Sequence, residues 1–99
     1  MVVISRKPGI TREEFVHHWC EAHPDFVRRL PKIRGYRQNL TIDHKMDWPF
    51  DGVAELFFDS VRDIAEAFDG DAAKALFAHE EAFIGDMKWS IVDEPEIKF

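Results

Sequence analysis

Two histidines carry the chemical question in this 99-residue chain: His23 and His79 lie far apart in sequence, each among apolar residues at helical spacing. At about 100° per residue, His23 lies about 80° from Phe15, inside the arc of Phe15, Trp19, Phe26 and Leu30, whereas His17 lies about 200° away on the solvated side. His79 comes three residues after Leu76 and four before Phe83, neighbours on one helix face. One histidine so placed reads as a core residue with a ring nitrogen on a backbone carbonyl. Two of them, on helices that share one face of a sheet, can converge. Burial disfavours the imidazolium, so such rings are neutral and can take or give a proton near neutral pH. General acid–base chemistry is the expectation. A metal site is the rival use, because His17, Cys20 and His23 recur at every third position and are zinc-ligand types. They spread over about 120° of the helix, no second CxxC or HxxxH pairing completes the set, and no metal is expected.

The elements that must position these rings follow from pattern. Val2–Ile4 reads as a strand stopped by Lys7-Pro8-Gly9. Thr11 and Glu14 have capping-box spacing, so a helix starts at about Arg12 and carries the Phe15, Trp19, Ala22, Phe26 and Leu30 stripe. Pro24 interrupts it, removing one hydrogen bond and biasing His23 away from helical dihedrals, so a kink or a lost turn is expected there. From Tyr36 to His44 apolar and polar residues alternate, with Tyr36, Gln38, Leu40 and Ile42 on one face. A loop over Lys45–Asp51 leads to a more buried strand over Val53–Phe58, paired antiparallel with the one before it. Ser60 caps a helix through Phe68, and Asp71 caps another bearing Ala72, Ala75, Leu76, His79, Ala82 and Phe83, which Gly85 ends. A last strand runs from about Met87 to Val92, and Pro95 releases a polar tail. Strand, helix, two strands, helices, strand is the ferredoxin-like split βαβ plan: an α+β fold with a four-stranded antiparallel sheet and its helices on one face. The bare face needs a cover, and a second copy of the chain is the simplest one.

Composition narrows the partners. Hydrophobic residues make up 45% of the chain and charged ones 32%, with nine Phe and three Trp to bury in a core, a subunit interface or a ligand cavity. Thirteen Lys and Arg against nineteen Asp and Glu give a net charge of −6, which repels phosphate backbones and anionic membrane surfaces, so neither nucleic acid nor membrane is an expected partner. There is no apolar run near membrane-spanning length and no charged-then-apolar leader, and Cys20 is the only cysteine. A single domain over residues 1–99 in the cytoplasm is the expectation.

The run Glu14-Phe15, Trp19, His23-Pro24, Leu30-Pro31, Gly35-Tyr36 and Asn39 resembles the core pattern of the EthD family, in which an aromatic residue, a histidine, a Leu-Pro and a Gly-Tyr follow in that order. The segment from Leu76 to Gly85, built around His79, is similar to the closing helix of 4-methylmuconolactone methylisomerases in the same superfamily. The resemblance implies a dimeric α/β barrel of two ferredoxin-like subunits, each with a pocket between its sheet and its helices. It also implies cofactor-free isomerisation, dehydration or decarboxylation of small aromatic, lactone or ether-related metabolites.

On that reading His23 is the principal base or acid, His79 its partner, and Tyr36 a hydroxyl donor to a developing oxyanion. Trp19, Phe26, Phe57 and Phe83 form the substrate-binding walls. Tyr36 also reads as a packing residue with its hydroxyl at the rim. Two alternatives stay open: a cofactor-independent monooxygenase or other oxidoreductase, and a non-catalytic accessory protein that binds a small hydrophobic metabolite.

Overall fold

A computed structural model describes residues 1–43, 45, 47–93 and 97–98. Its strands are β1 (Val2–Arg6), β2 (Gly35–Leu40), β3 (Gly52–Phe57) and β4 (Ile84–Trp89), and its helices are α1 (Arg12–Val16), α2 (His23–Arg28), α3 (Val61–Ala67) and α4 (Asp71–Glu80). A π-helical segment, His17–Ala22, joins α1 to α2. The strands form one antiparallel sheet in the order β2-β3-β1-β4, so β1, a short β-branched run, lies between two partners. The fold is α+β and ferredoxin-like, as the element order predicts. Among the described residues no helix is long and apolar enough to cross a membrane.

Caps fix where the helices begin. The Thr11 hydroxyl accepts from the Glu14 amide at 3.1 Å and the Ser60 hydroxyl from the Asp63 amide at 3.1 Å, each satisfying an amide with no partner inside its helix. Asp71 does not cap α4: it is the first helical residue, after Gly70, which offers no side-chain bond. The helix stops at Glu80, and Ala82 is exposed. Gly85, expected to end the helix, belongs instead to β4 at its irregularity with β1, where a Cβ would lie 2.9 Å from the Arg6 carbonyl oxygen. On the second strand, pairing stops at Leu40 and Ile42 is exposed, because Thr41 turns to bond Asp51 across the loop. The expected strand end at His44 and the tail release at Pro95 lie outside the described residues.

At Pro24 no turn is lost: the helical run continues from the π segment into α2. His23 has φ −63° and ψ −37°, and its amide bonds the His18 carbonyl five residues back. The wider π turn relieves the clash between a proline ring and the preceding turn, so the bias against helical dihedrals at His23 is overridden.

Side chains on one sheet face, Ile4 and Ala54 with Tyr36 and Leu56, pack under the helices in two adjoining clusters. Phe15, Trp19 and Phe83 fill the first, and Val27, Leu30, Ala67, Ala73 and Leu76 the second. Trp19, almost fully buried, lies against the backbone of β3 at Gly52: a Cβ there would sit 2.5 Å from two of its ring carbons. Only glycine lets the indole that close. Gly52→Ala is therefore expected to cost about 2 kcal/mol or more by overpacking. Combining it with Trp19→Phe should cost less than the sum of the two single changes, a coupling that urea denaturation of the four proteins would measure.

Candidate acid–base site

The two histidines meet. His23, only 4% exposed, projects from the start of α2, and His79 projects from the last turn of α4. Their Nδ1 atoms are 3.0 Å apart, so one ring must donate to the other. His79 is held by its neighbours: it stacks on Phe26 at 4.5 Å and 10°, and it packs on Phe83 at 5.1 Å. His18, from the π segment, stands 5.9 Å away and stacks on Phe83. Burial first, and then the neighbouring His79, pushes the His23 pKa down to about 4. His79 is shifted down as well, by burial and then by His18. Both rings are neutral at neutral pH.

The other nitrogen of His23, Nε2, faces Glu80 at 3.6 Å. This carboxyl is mostly buried, and burial alone raises its pKa to about 7. A carboxyl near half-protonation thus stands beside a neutral imidazole, a proton donor beside a proton acceptor. Sequence reasoning passed over Glu80, although the spacing that places His79 on the apolar face places Glu80 there too: it is four residues after Leu76 and three before Phe83. A charged residue type outweighed its position.

Tyr36 joins the site through the π segment. In an i→i+5 turn the Trp19 carbonyl would accept from residue 24, but Pro24 has no N–H. Gln38, the next helix-facing residue of β2 after Tyr36, supplies the missing donor: its Nε2 reaches the Trp19 oxygen at 2.6 Å and the Tyr36 hydroxyl at 2.9 Å. A carbonyl only accepts, so the amide orientation is settled and the Tyr36 oxygen is the acceptor of the second bond. The phenolic proton is left to donate elsewhere. Burial holds the Tyr36 pKa up to about 12, with smaller raising contributions from Cys20 and Glu80, so the group stays a donor across the physiological range.

These groups border a cavity of about 920 Å³ between sheet and helices. His23, Glu80 and Tyr36 line it, with Trp19, Ala54 and Leu56 among its apolar walls, and Phe57 contributes as well. Towards solvent it is rimmed by apolar residues that are themselves exposed, Val61, Phe77 and Trp89. His79, Phe26 and Phe83 do not line it. Phe83 is sealed in the first core cluster, and His79 with Phe26 stands behind His23. His17 is exposed and paired with Glu21 at 2.5 Å, and among the described residues no three His, Cys, Asp or Glu side chains converge as a metal site would require.

Comparison with known proteins agrees with this architecture. The EthD domain matches residues 7–86. The fold is similar to that of an ethyl tert-butyl ether D (EthD) family protein from Bacillus halodurans C-125, with 16% identity over 91% of this chain and 95% of that one and a TM-score of 0.69. It is also similar to a dimeric protein of unknown function and ferredoxin-like fold from Bacteroides fragilis NCTC 9343, with 16% identity over 88% of this chain and 85% of that one and a TM-score of 0.62. No curated protein matches the chain.

The opposite shifts of His23 and Glu80 oppose each other in stability. His23, lowered from 6.5 to about 4, contributes stability that is complete above pH 6.5 and lost as pH falls towards 4. Glu80, raised from 4.5 to about 7, contributes stability that is complete below pH 4.5 and lost as pH rises through 7. Glu80→Gln removes the second limb, so its stability relative to the parent should rise between those pH values. His23→Phe removes the first, so its stability relative to the parent should fall as pH rises from 4 to 6.5. Each change should be on the order of 2 kcal/mol, read from urea unfolding at a series of pH values, and curves parallel to the parent's would contradict the burial of these groups.

Proposed function

As the chain belongs to the EthD family, we propose that its cavity is the active site of an enzyme that moves protons on a small, ring-bearing, oxygenated substrate. The observation that carries this reading is the 3.6 Å approach of the His23 Nε2 to the Glu80 carboxyl at the wall of an apolar cavity. Neutral His23 removes a proton from a carbon next to a carbonyl. The Tyr36 hydroxyl donates a hydrogen bond to the oxygen on which negative charge develops, and protonated Glu80 returns a proton at the second position. An isomerisation by this route consumes nothing and leaves both residues ready for another cycle once they exchange one proton. Elimination of water or loss of carbon dioxide uses the same groups, with the leaving group protonated by Glu80 or the carbanion quenched by it. The apolar walls suit an aromatic or lactone ring, and the polar groups gathered around His23 suit its oxygenated end.

We further propose that two copies pack through their open sheet faces, where Val3, Val53 and Phe57 are half-buried among polar neighbours. The similar Bacteroides fragilis protein is described as dimeric, which supports this assembly.

The test is proton exchange at carbon. An unsaturated γ-lactone and a bicyclic aromatic ketone, incubated in D2O with the protein, should take up deuterium beside the carbonyl faster than in buffer, as followed by proton NMR. His23→Ala should lower the rate by about 10²–10⁴-fold. Tyr36→Phe should lower it less while leaving binding, read from quenching of tryptophan fluorescence, nearly unchanged. Binding of these compounds with no accelerated exchange in the parent protein would instead make the cavity a container for a small hydrophobic metabolite.

A further inference from the structure

We propose that His79 is a proton relay between the buried His23 and solvent, so that the site can exchange protons with water while its cavity is occupied. This rests on the acid–base reading of His23. The geometry is a short line of polar atoms: the Glu80 carboxyl, then the two nitrogens of His23, then His79. The first gap is 3.6 Å and the Nδ1–Nδ1 gap is 3.0 Å. His23 itself is 4% exposed, whereas His79 is half-buried and lies outside the cavity lining. A substrate that fills the cavity covers the His23 Nε2 and closes its direct route to water. The route through Nδ1 stays open.

The proton inventory is balanced at each step. Before reaction, His23 carries its proton on Nδ1, which donates to the bare Nδ1 of His79, and His79 carries its own on Nε2. When His23 takes the substrate proton at Nε2, its Nδ1 proton crosses to the His79 Nδ1, and His79 releases its Nε2 proton to water. Reprotonation of Glu80 reverses the sequence: His23 gives its Nε2 proton to the carboxylate, takes one at Nδ1 from His79, and His79 takes one at Nε2 from water. The titratable groups around His79 are His23 from α2, His18 from the π segment and its chain neighbour Glu80. Burial and His18 both disfavour a standing charge on His79, as a relay that must pass protons on requires. Stacking on Phe26 keeps its ring in line, so His79 acts through His23 as a positioning residue and does not touch substrate.

The experiment is solvent exchange of the His23 ring proton, followed by NMR of the full chain with nitrogen-15-labelled histidine, the cavity being filled with naphthalene, which covers the His23 Nε2 and has no proton that the imidazole could remove. In the parent protein, added imidazole should speed this exchange, because an external base can reach His79. In His79→Phe, which keeps an aromatic ring on Phe26, exchange should slow by about tenfold or more and lose its dependence on imidazole. In His79→Ala, imidazole should restore it as a mobile substitute, a rescue that a purely structural role would not give. His79→Gln, which keeps polarity without a relay, should behave like His79→Phe. Exchange as fast in both His79→Phe and His79→Gln as in the parent would overturn the relay. The measurement involves no substrate, so its failure leaves carbon-bound exchange by His23 standing. Conversely, failure of carbon-bound exchange would remove the acid–base reading whatever the ring proton does.

Discussion

One missing hydrogen organises this molecule. Pro24 cannot donate to the Trp19 carbonyl, and the helix absorbs the defect by widening over His17–Ala22. An exposed carbonyl in a core is costly unless it finds a donor. Gln38 reaches across from β2 to supply one at 2.6 Å, and the same amide group holds the Tyr36 hydroxyl. A bond that repairs the helix thus ties the π segment to the sheet and sets the orientation of a cavity-lining phenol. The widening also sets the angular position of His23. A turn that holds more residues advances each by less, so the imidazole arrives where α4 can meet it with both His79 and Glu80.

Much of the frame was legible because local chemistry and global fold agree. Thr11 with Glu14 and Ser60 with Asp63 are cap geometries written within a few residues, and the alternation from Tyr36 to Leu40 needs no tertiary information to be seen. The errors came where distant residues decide. Gly85 looked like a helix stop, but its role is the close approach of β1, 79 positions away at Arg6. Pro24 looked like a break, but the clash it causes is relieved by a change of helical pitch, and the carbonyl it strands is satisfied from another strand. Helix wheels assume constant pitch, so they placed His23 correctly on the inner face without showing which nitrogen looks where.

The site was half legible for a related reason. Apolar spacing brought out His23 and His79, and the structure places them in contact. It also separates their positions: His23 borders the cavity, and His79 stands behind it with Phe26. Glu80 was hidden by its type, since charged residues on helices are nearly always solvated and spacing alone rarely overrules that expectation. Its pKa, raised by burial to about 7, leaves it partly neutral and so tolerable in the interior, and the imidazole it faces is 57 residues away. Chemistry assembled from two helices and a strand cannot be read from any one of them.

The small residues of β3 have a consequence of another kind. Gly52 admits the Trp19 indole and Ala54 leaves open space above the sheet, so bulk in this region is governed by a strand that supplies none of His23, Glu80 and Tyr36. His23 and Glu80 hang from helices on the other side of the same space. Capacity and reactivity are therefore assigned to separate stretches of polypeptide, and one can drift without disturbing the other. A lineage built on this frame can change the shape of what it admits by altering single side chains on β3, long before it has to reinvent how protons are moved.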